Sequence, residues 1–177
     1  MKIVRHTLIG LIASLASPAV YAADTYYSIK TIGLTDAEWN SPAYINNSGY
    51  VAGRASSGWT SQGDYLGYYA WVYDGSSTKQ IGLMDATHTD ANTGATWNFI
   101  SSLSTNSSVF GVAARFAGAT DIGSSAWVYN GNTTQEIGLI DAAHTNLDTG
   151  YRYTDVYIEN ANGMTIGNNQ LYNGSAA

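Results

Sequence analysis

Ala70-Trp71-Val72-Tyr73-Asp74-Gly75 is written again as Ala126-Trp127-Val128-Tyr129-Asn130-Gly131. Ile81-Gly82-Leu83-Met84-Asp85-Ala86-Thr87-His88-Thr89 is likewise written again as Ile137-Gly138-Leu139-Ile140-Asp141-Ala142-Ala143-His144-Thr145. Every matched pair lies 56 residues apart, and Ile32-Gly33-Leu34-Thr35-Asp36-Ala37 is a third, more worn copy of the second phrase. Self-similarity at a fixed period means one supersecondary unit stacked on copies of itself. The local pattern identifies that unit. β-formers alternate in Ala70–Tyr73 and in Lys79–Leu83, with an Asp-Gly or Asn-Gly hairpin signal between them whose favoured turn takes positive φ at both central positions. Lys79 becomes Gln135 and Gln80 becomes Glu136, whereas Ile81 and Leu83 stay aliphatic. One face of that strand is therefore core and the other wet.

A second hairpin follows in each copy. Trp97–Leu103 and Val109–Arg115 flank the turn Thr105-Asn106-Ser107-Ser108. Ala43–Ile45 and Tyr50–Arg54 flank Asn46-Asn47-Ser48-Gly49. Tyr153–Ile158 and Met164–Gly167 flank Asn160-Ala161-Asn162-Gly163. No segment after the first 22 residues has a 3.6-residue apolar period, so the expected fold is all β. The expectation is antiparallel, four-stranded, blade-like repeats, arranged as a propeller or part of one. They fall into about three units, residues 26–75, 76–131 and 132–174, within a single domain of 23–177. Closed propellers typically have about 4 to 8 blades. Three units imply a partial ring that oligomerises, a short open array, a truncated piece of a larger propeller, or a ring closed by a strap in which Gln170–Asn173 lies antiparallel to part of Tyr27–Leu34.

The N-terminus reads as a secretory signal peptide. Lys2 and Arg5 precede a short apolar run, Leu8–Ala16, and Val20-Tyr21-Ala22 is a small-x-small cleavage site. The run is too short for the roughly 20 residues of a membrane span. Cleavage after Ala22 predicts a secreted or extracytoplasmic protein. Beyond Ala22 five basic residues, Lys30, Arg54, Lys79, Arg115 and Arg152, stand against thirteen acidic ones. Phosphate backbones would be repelled, which argues against nucleic-acid binding. No second apolar span or basic amphipathic stretch points to membrane insertion. The chain has no cysteine, which excludes thiolate catalysis and cysteine-ligated metals and leaves the core to hold the domain.

The ordered phrases Ala-Trp-Val-Tyr-Asn-Gly, Ile-Gly-Leu, and Ile45-Asn46-Asn47-Ser48-Gly49-Tyr50-Val51-Ala52-Gly53 resemble the HAF repeat of exported bacterial proteins. The resemblance covers nearly all of the chain after residue 22. The chain departs from the pattern in its long Asp-Ala-x-His-Thr loop and its few units. What the resemblance implies is an extracytoplasmic, propeller-like repeat protein without a settled activity.

Three features invite chemistry. His88 and His144 each follow an aspartate by three residues, Asp85 and Asp141, and precede a threonine. Asp, His and a hydroxyl are the parts of a hydrolase triad. Yet the pair occurs twice, the first unit has Asp36-Ala37-Glu38-Trp39 instead, and no serine sits in a Gly-x-Ser-x-Gly elbow. The expected role is loop bracing, with no catalytic residue; catalysis would require one His in reach of both an Asp and a hydroxyl in one open pocket. Second, Asp90-Ala91-Asn92-Thr93-Gly94 and Asn146-Leu147-Asp148-Thr149-Gly150 alternate side-chain oxygens before a glycine, as a calcium loop begins, but lack the closing bidentate Glu. No cofactor is expected; structural Ca²⁺ at these loops is the one exception weighed. Third are the aromatics. Trp71 and Trp127, equivalent strand residues, are expected to pack between units. Trp39, in a loop, and Trp59, in the unrepeated insertion Ser56–Gly67, are the candidates for ligand contact with a protein or glycan surface. The expected function is a non-enzymatic binding scaffold; the alternatives are a carbohydrate-binding or carbohydrate-acting module and a structural piece of a surface assembly.

Overall fold

The computed structural model describes residues 30–159 and 165–171. The proposed signal peptide, residues 27–29 of the proposed strap, the turn at 160–163 and residues 172–174 lie outside the described residues.

The described chain is all β: ten strands and two single-turn 3-10 segments, Ala86–His88 and Ala142–His144. The strands are β1 (Asn40–Ile45), β2 (Val51–Ser56), β3 (Gly67–Tyr73), β4 (Thr78–Ile81), β5 (Thr96–Leu103), β6 (Val109–Ala117), β7 (Thr120–Tyr129), β8 (Thr134–Ile137), β9 (Arg152–Glu159) and β10 (Thr165–Asn169). They form one mixed sheet in the order β1-β2-β3-β5-β6-β7-β9-β10, with β4 on β3 and β8 on β7.

The pairing pattern repeats with the sequence. β1–β2, β5–β6 and β9–β10 are antiparallel hairpins, each with one register shift. β3 then runs antiparallel to β2 with Gly53 opposite Trp71, and β7 antiparallel to β6 with Gly111 opposite Trp127. Each of these strands shares its second edge. The last four residues of β3 pair with β4 while Gly67 and Tyr68 pair in parallel with Thr96 and Trp97 of β5. β7 divides itself in the same way between β8 and β9.

Equivalent hydrogen bonds recur along the repeat. Gly33 N donates to Thr78 Oγ1 and Gly82 N to Thr134 Oγ1, both at 3.2 Å. Alternation sends opposite strand faces into different clusters. Ala52, Ala70, Val72, Ile81 and Leu83 meet Val109, Ala113, Trp127 and Tyr129. Ala55, Trp71 and Tyr73 are covered by Ile32, Leu34 and Ala37. Phe110 and Ala126 meet Val156. Trp71 and Trp127 are both 0% exposed, as their shared position predicts.

Three expectations need correction. Residues 30–34 form no strand, because their backbone is engaged by side chains: Leu34 N donates to Asn40 Oδ1 at 2.9 Å and Asn40 Nδ2 donates to Leu34 O at 3.0 Å. The hairpin turns are Asx turns over four residues. Asp74 Oδ1 accepts from the N–H groups of Ser76 (3.0 Å) and Ser77 (2.9 Å), and Asn130 Oδ1 accepts from those of Asn132 and Thr133, both at 3.0 Å. Only the glycine takes a positive φ, 95° at Gly75 and 94° at Gly131. Finally, the sheet is not closed. β1 and β10 are its ends, and Gln170 N donates to Tyr153 O, which extends the β9–β10 hairpin instead of reaching residues 30–34.

Candidate functional site

The insertion between β2 and β3 is a tight loop. Trp59 and Tyr65 form an antiparallel bridge, Leu66 N donates to Gly58 O at 2.9 Å, and Thr60 N donates to Asp64 O at 2.8 Å. Thr60 Oγ1 accepts in return from the N–H groups of Gln62 and Asp64. At the loop base Tyr65 donates its hydroxyl to Ser56 Oγ at 3.1 Å, and Ser56 donates to Glu38 Oε2 at 3.2 Å. Burial, the first cause, together with neighbouring Tyr68, raises the Tyr65 phenol above its ordinary value against the opposing Ser56 hydrogen bond.

This loop lays Trp59 and Tyr65 on an aromatic cluster centred on Tyr68. Tyr68 has Trp97, Phe99, Tyr65 and Trp39 around it, with ring centroids 5.3, 5.5, 5.6 and 5.7 Å away. Trp59 stands 4.8 Å from Tyr65, which also meets Trp97 at 5.7 Å. The contacts are tilted or edge-on, the arrangement ring quadrupoles prefer. Arg54 from β2 sets its guanidinium 4.9 Å from the Tyr68 centroid and 6.0 Å from that of Trp39, within cation–π range. Trp59 is 60% exposed, Phe99 38% and Trp39 37%. The two tryptophans singled out from sequence thus belong to one patch.

Tyr65, Tyr68, Trp97, Phe99 and Arg54 escape a reading of the sequence alone. A signal for two of them is there: Trp97 and Phe99 alternate along one strand, hence share a face. The others come from strands paired only in space. The patch does not recur. One period on, Tyr68, Trp97 and Phe99 are replaced by Ser124, Tyr153 and Asp155.

The first His joins a second constellation. Asp85 caps the turn, accepting from Thr87 N at 2.8 Å and from His88 Nδ1 at 2.9 Å. His88 Nε2 lies 3.0 Å from Ser125 Oγ of β7. Ser125 donates to Glu136 Oε1 at 2.6 Å, and Arg152 of β9 reaches both Glu136 and Ser125. Burial tends to raise the Asp85 carboxyl, but the His88 hydrogen bond and charge and two backbone N–H groups outweigh it and leave it below its ordinary value. Aspartate, histidine and serine therefore do meet, which is half of the condition for catalysis. The other half is absent, for Ser125 is 0% exposed and His88 4%. Moreover the serine proton is directed to a carboxylate, where a nucleophile would yield it to the imidazole. His144 keeps its aspartate, with Nδ1 2.7 Å from Asp141 Oδ1.

In both candidate calcium loops the first oxygen caps the turn. Asp90 Oδ1 accepts from Asn92 N at 2.8 Å, and Asn146 Oδ1 accepts from Asp148 N at 3.0 Å and Thr149 N at 3.2 Å. Among the described residues no three His, Cys, Asp or Glu side chains converge as a metal site, and no helix is long and apolar enough to cross a membrane. Compared with protein-family models, curated proteins and solved structures, the chain matches none of them.

Proposed function

We propose that this protein is an exported, non-enzymatic β-repeat scaffold that binds a partner at or outside the cell envelope through the patch around Tyr68. The observation that carries the reading is a half-exposed cluster of Trp39, Trp59 and Phe99 that has no counterpart among the described residues, on a frame that otherwise repeats. Residues that recur serve the unit; an aromatic group that appears once, kept half-exposed by a dedicated loop, is not explained by the packing of the unit. Export rests on the basic, apolar and small-residue order of the first 22 residues. The HAF-repeat phrases support a propeller-like array, of which the open sheet would be one part.

Carbohydrate is the ligand class we favour for the patch. Exposed indole rings offer flat apolar surfaces to a sugar face, and the loop that carries Trp59 is built from Thr60, Ser61, Gln62 and Asp64, whose polar groups suit hydroxyls. The test is a tryptophan-fluorescence titration with soluble β-glucan, chitooligosaccharide and bacterial cell-wall fragments. Saturable binding to one of these, weakened ~10-fold or more by Trp59→Ala, is expected. Binding that is indifferent to both Trp59→Ala and Trp39→Ala, or no binding to any of the three, would remove the glycan reading.

A further inference from the structure

Three glycines hold one place in the repeat: Gly53 in β2, Gly111 in β6 and Gly167 in β10. Each faces a carbonyl across its hairpin's register shift, and an added Cβ would lie 2.5 Å from Ser41 O, 2.2 Å from Phe99 O and 2.2 Å from Asp155 O. Over the first two lies an indole as well, with the same Cβ 2.5 Å from Trp71 Cζ2 and 2.3 Å from Trp127 Cζ2. Among the described residues no indole lies over Gly167; the next nearest residue is Val156 of its own hairpin.

The neighbours carry the same message. The residue before each glycine is Ala52 at 0% exposure, Phe110 at 6% and Ile166 at 66%. Leu83 is 9% exposed, whereas Leu139, one period on, is 49% exposed. β2 has β1 and β3 on its edges and β6 has β5 and β7, but among the described residues β10 has β9 alone. β10 reads Thr-Ile-Gly-Asn-Asn. It has neither the charge nor the proline that commonly protects an edge strand.

We propose that the outer edge of β10 binds an extended partner segment with the Ala-Trp-x-Tyr pattern, added as an antiparallel strand. The repeat itself fixes the register. Gly53 pairs with Trp71 and Ala52 with Val72, and Gly111 pairs with Trp127 and Phe110 with Val128. The partner's tryptophan therefore pairs with Gly167 and its next residue with Ile166. Its indole fills the place over the glycine, and its strand covers the apolar surface that Ile166 and Leu139 leave open. This surface shares no residue with the Tyr68 patch and does not depend on it.

The test uses the full chain and a labelled peptide, Ser-Ser-Ala-Trp-Val-Tyr-Asn-Gly, which copies residues 124–131. Fluorescence anisotropy should show saturable binding, weakened ~10-fold or more when the peptide's tryptophan becomes alanine. Ile166→Asp changes a side chain that is exposed in the free chain. It should keep the far-UV spectrum and melting temperature while weakening binding to a similar degree. Absence of saturable binding overturns the proposal, as does equal binding of the two peptides or equal binding by Ile166→Asp. A dimer that forms without the peptide, and that the peptide does not disperse, would assign the face to a second copy and also overturn it.

Discussion

Asn98 holds Leu83 by both ends of its backbone unit: Oδ1 accepts from Leu83 N at 3.0 Å, and Nδ2 donates to Leu83 O at 2.9 Å. The amide thus stands in for a neighbouring strand just where Gly82, at φ 101°, turns the chain out of β4. Asn40 does the same for Leu34 beyond Gly33. In the third copy Thr154 occupies the equivalent position and Asn169 of β10 bonds Leu139 N at 3.2 Å. Asn98 is 0% exposed, so water cannot replace it. Asn98→Ala should lower the unfolding free energy by about 2–4 kcal/mol, the cost of two buried backbone groups left unpaired. Urea denaturation measures this, and a loss under about 1 kcal/mol would mean the backbone finds other partners.

Trp127→Ala removes the largest side chain between the first two hairpin pairs. The indole is fully buried against Gly111, in the cluster with Val72, Ile81 and Leu83. A loss of about 3–5 kcal/mol is expected. Gly111→Ala should be comparably harmful by the opposite route, since its Cβ would collide with both Phe99 O and the indole. Thermal melts of the two single variants check this, and a mild Gly111→Ala would show that the hairpin relaxes easily.

These tryptophans are legible in the sequence because the repeat compares each with its copy, and equivalent burial follows from equivalent environment. What the repeat cannot show is a contact made by residues that differ between copies. Ser125 stands where the preceding copy has Tyr69, and it lies 37 residues from His88. Nothing in spacing links the two. Tyr68 likewise joins Trp39 to Trp97 only because β3 pairs in parallel with β5 at Tyr68 and Trp97. The expectation of closure fails for a related reason. Leu171-Tyr172-Asn173-Gly174 resembles the end of β7, but the stretch from Thr165 to Gln170 is engaged by β9.

The turn at Asp74 carries a pH dependence that its copy lacks. N–H groups of Ser77 and Ser76, the Ser76 hydroxyl and the Lys79 ammonium, 3.0 Å away, hold the Asp74 carboxyl far below the usual carboxylate range. A depressed folded-state pKa contributes stability above the unfolded value, near 3.8, and loses it as pH falls through the folded one. Asn130 makes the same backbone bonds without a charge, so Asp74→Asn should preserve the turn. Near neutral pH the wild type should melt above Asp74→Asn, which keeps the backbone bonds but loses the charge facing Lys79. Below about pH 4 the wild type should fall more steeply than the variant. Parallel curves down to about pH 2 would show that the carboxylate adds nothing to the turn.

Ser125 decides between brace and catalyst. The hydroxyl joins a turn from the first hairpin pair, through His88, to Glu136 of β8 and Arg152 of β9. A brace is measured by stability: Ser125→Ala leaves His88 Nε2 without its partner inside the protein, at a cost of about 1–3 kcal/mol. A catalyst is measured by reactivity, and an activated serine is phosphonylated by a fluorophosphonate with loss of fluoride. The geometry argues for the brace, because the serine is fully buried and donates to a carboxylate that competes with the imidazole for its one proton. The folded protein should therefore resist the probe, while Ser125→Ala and His88→Ala both melt early. Labelling of Ser125 in the wild type, lost in His88→Ala, would establish a working triad and end the non-enzymatic reading.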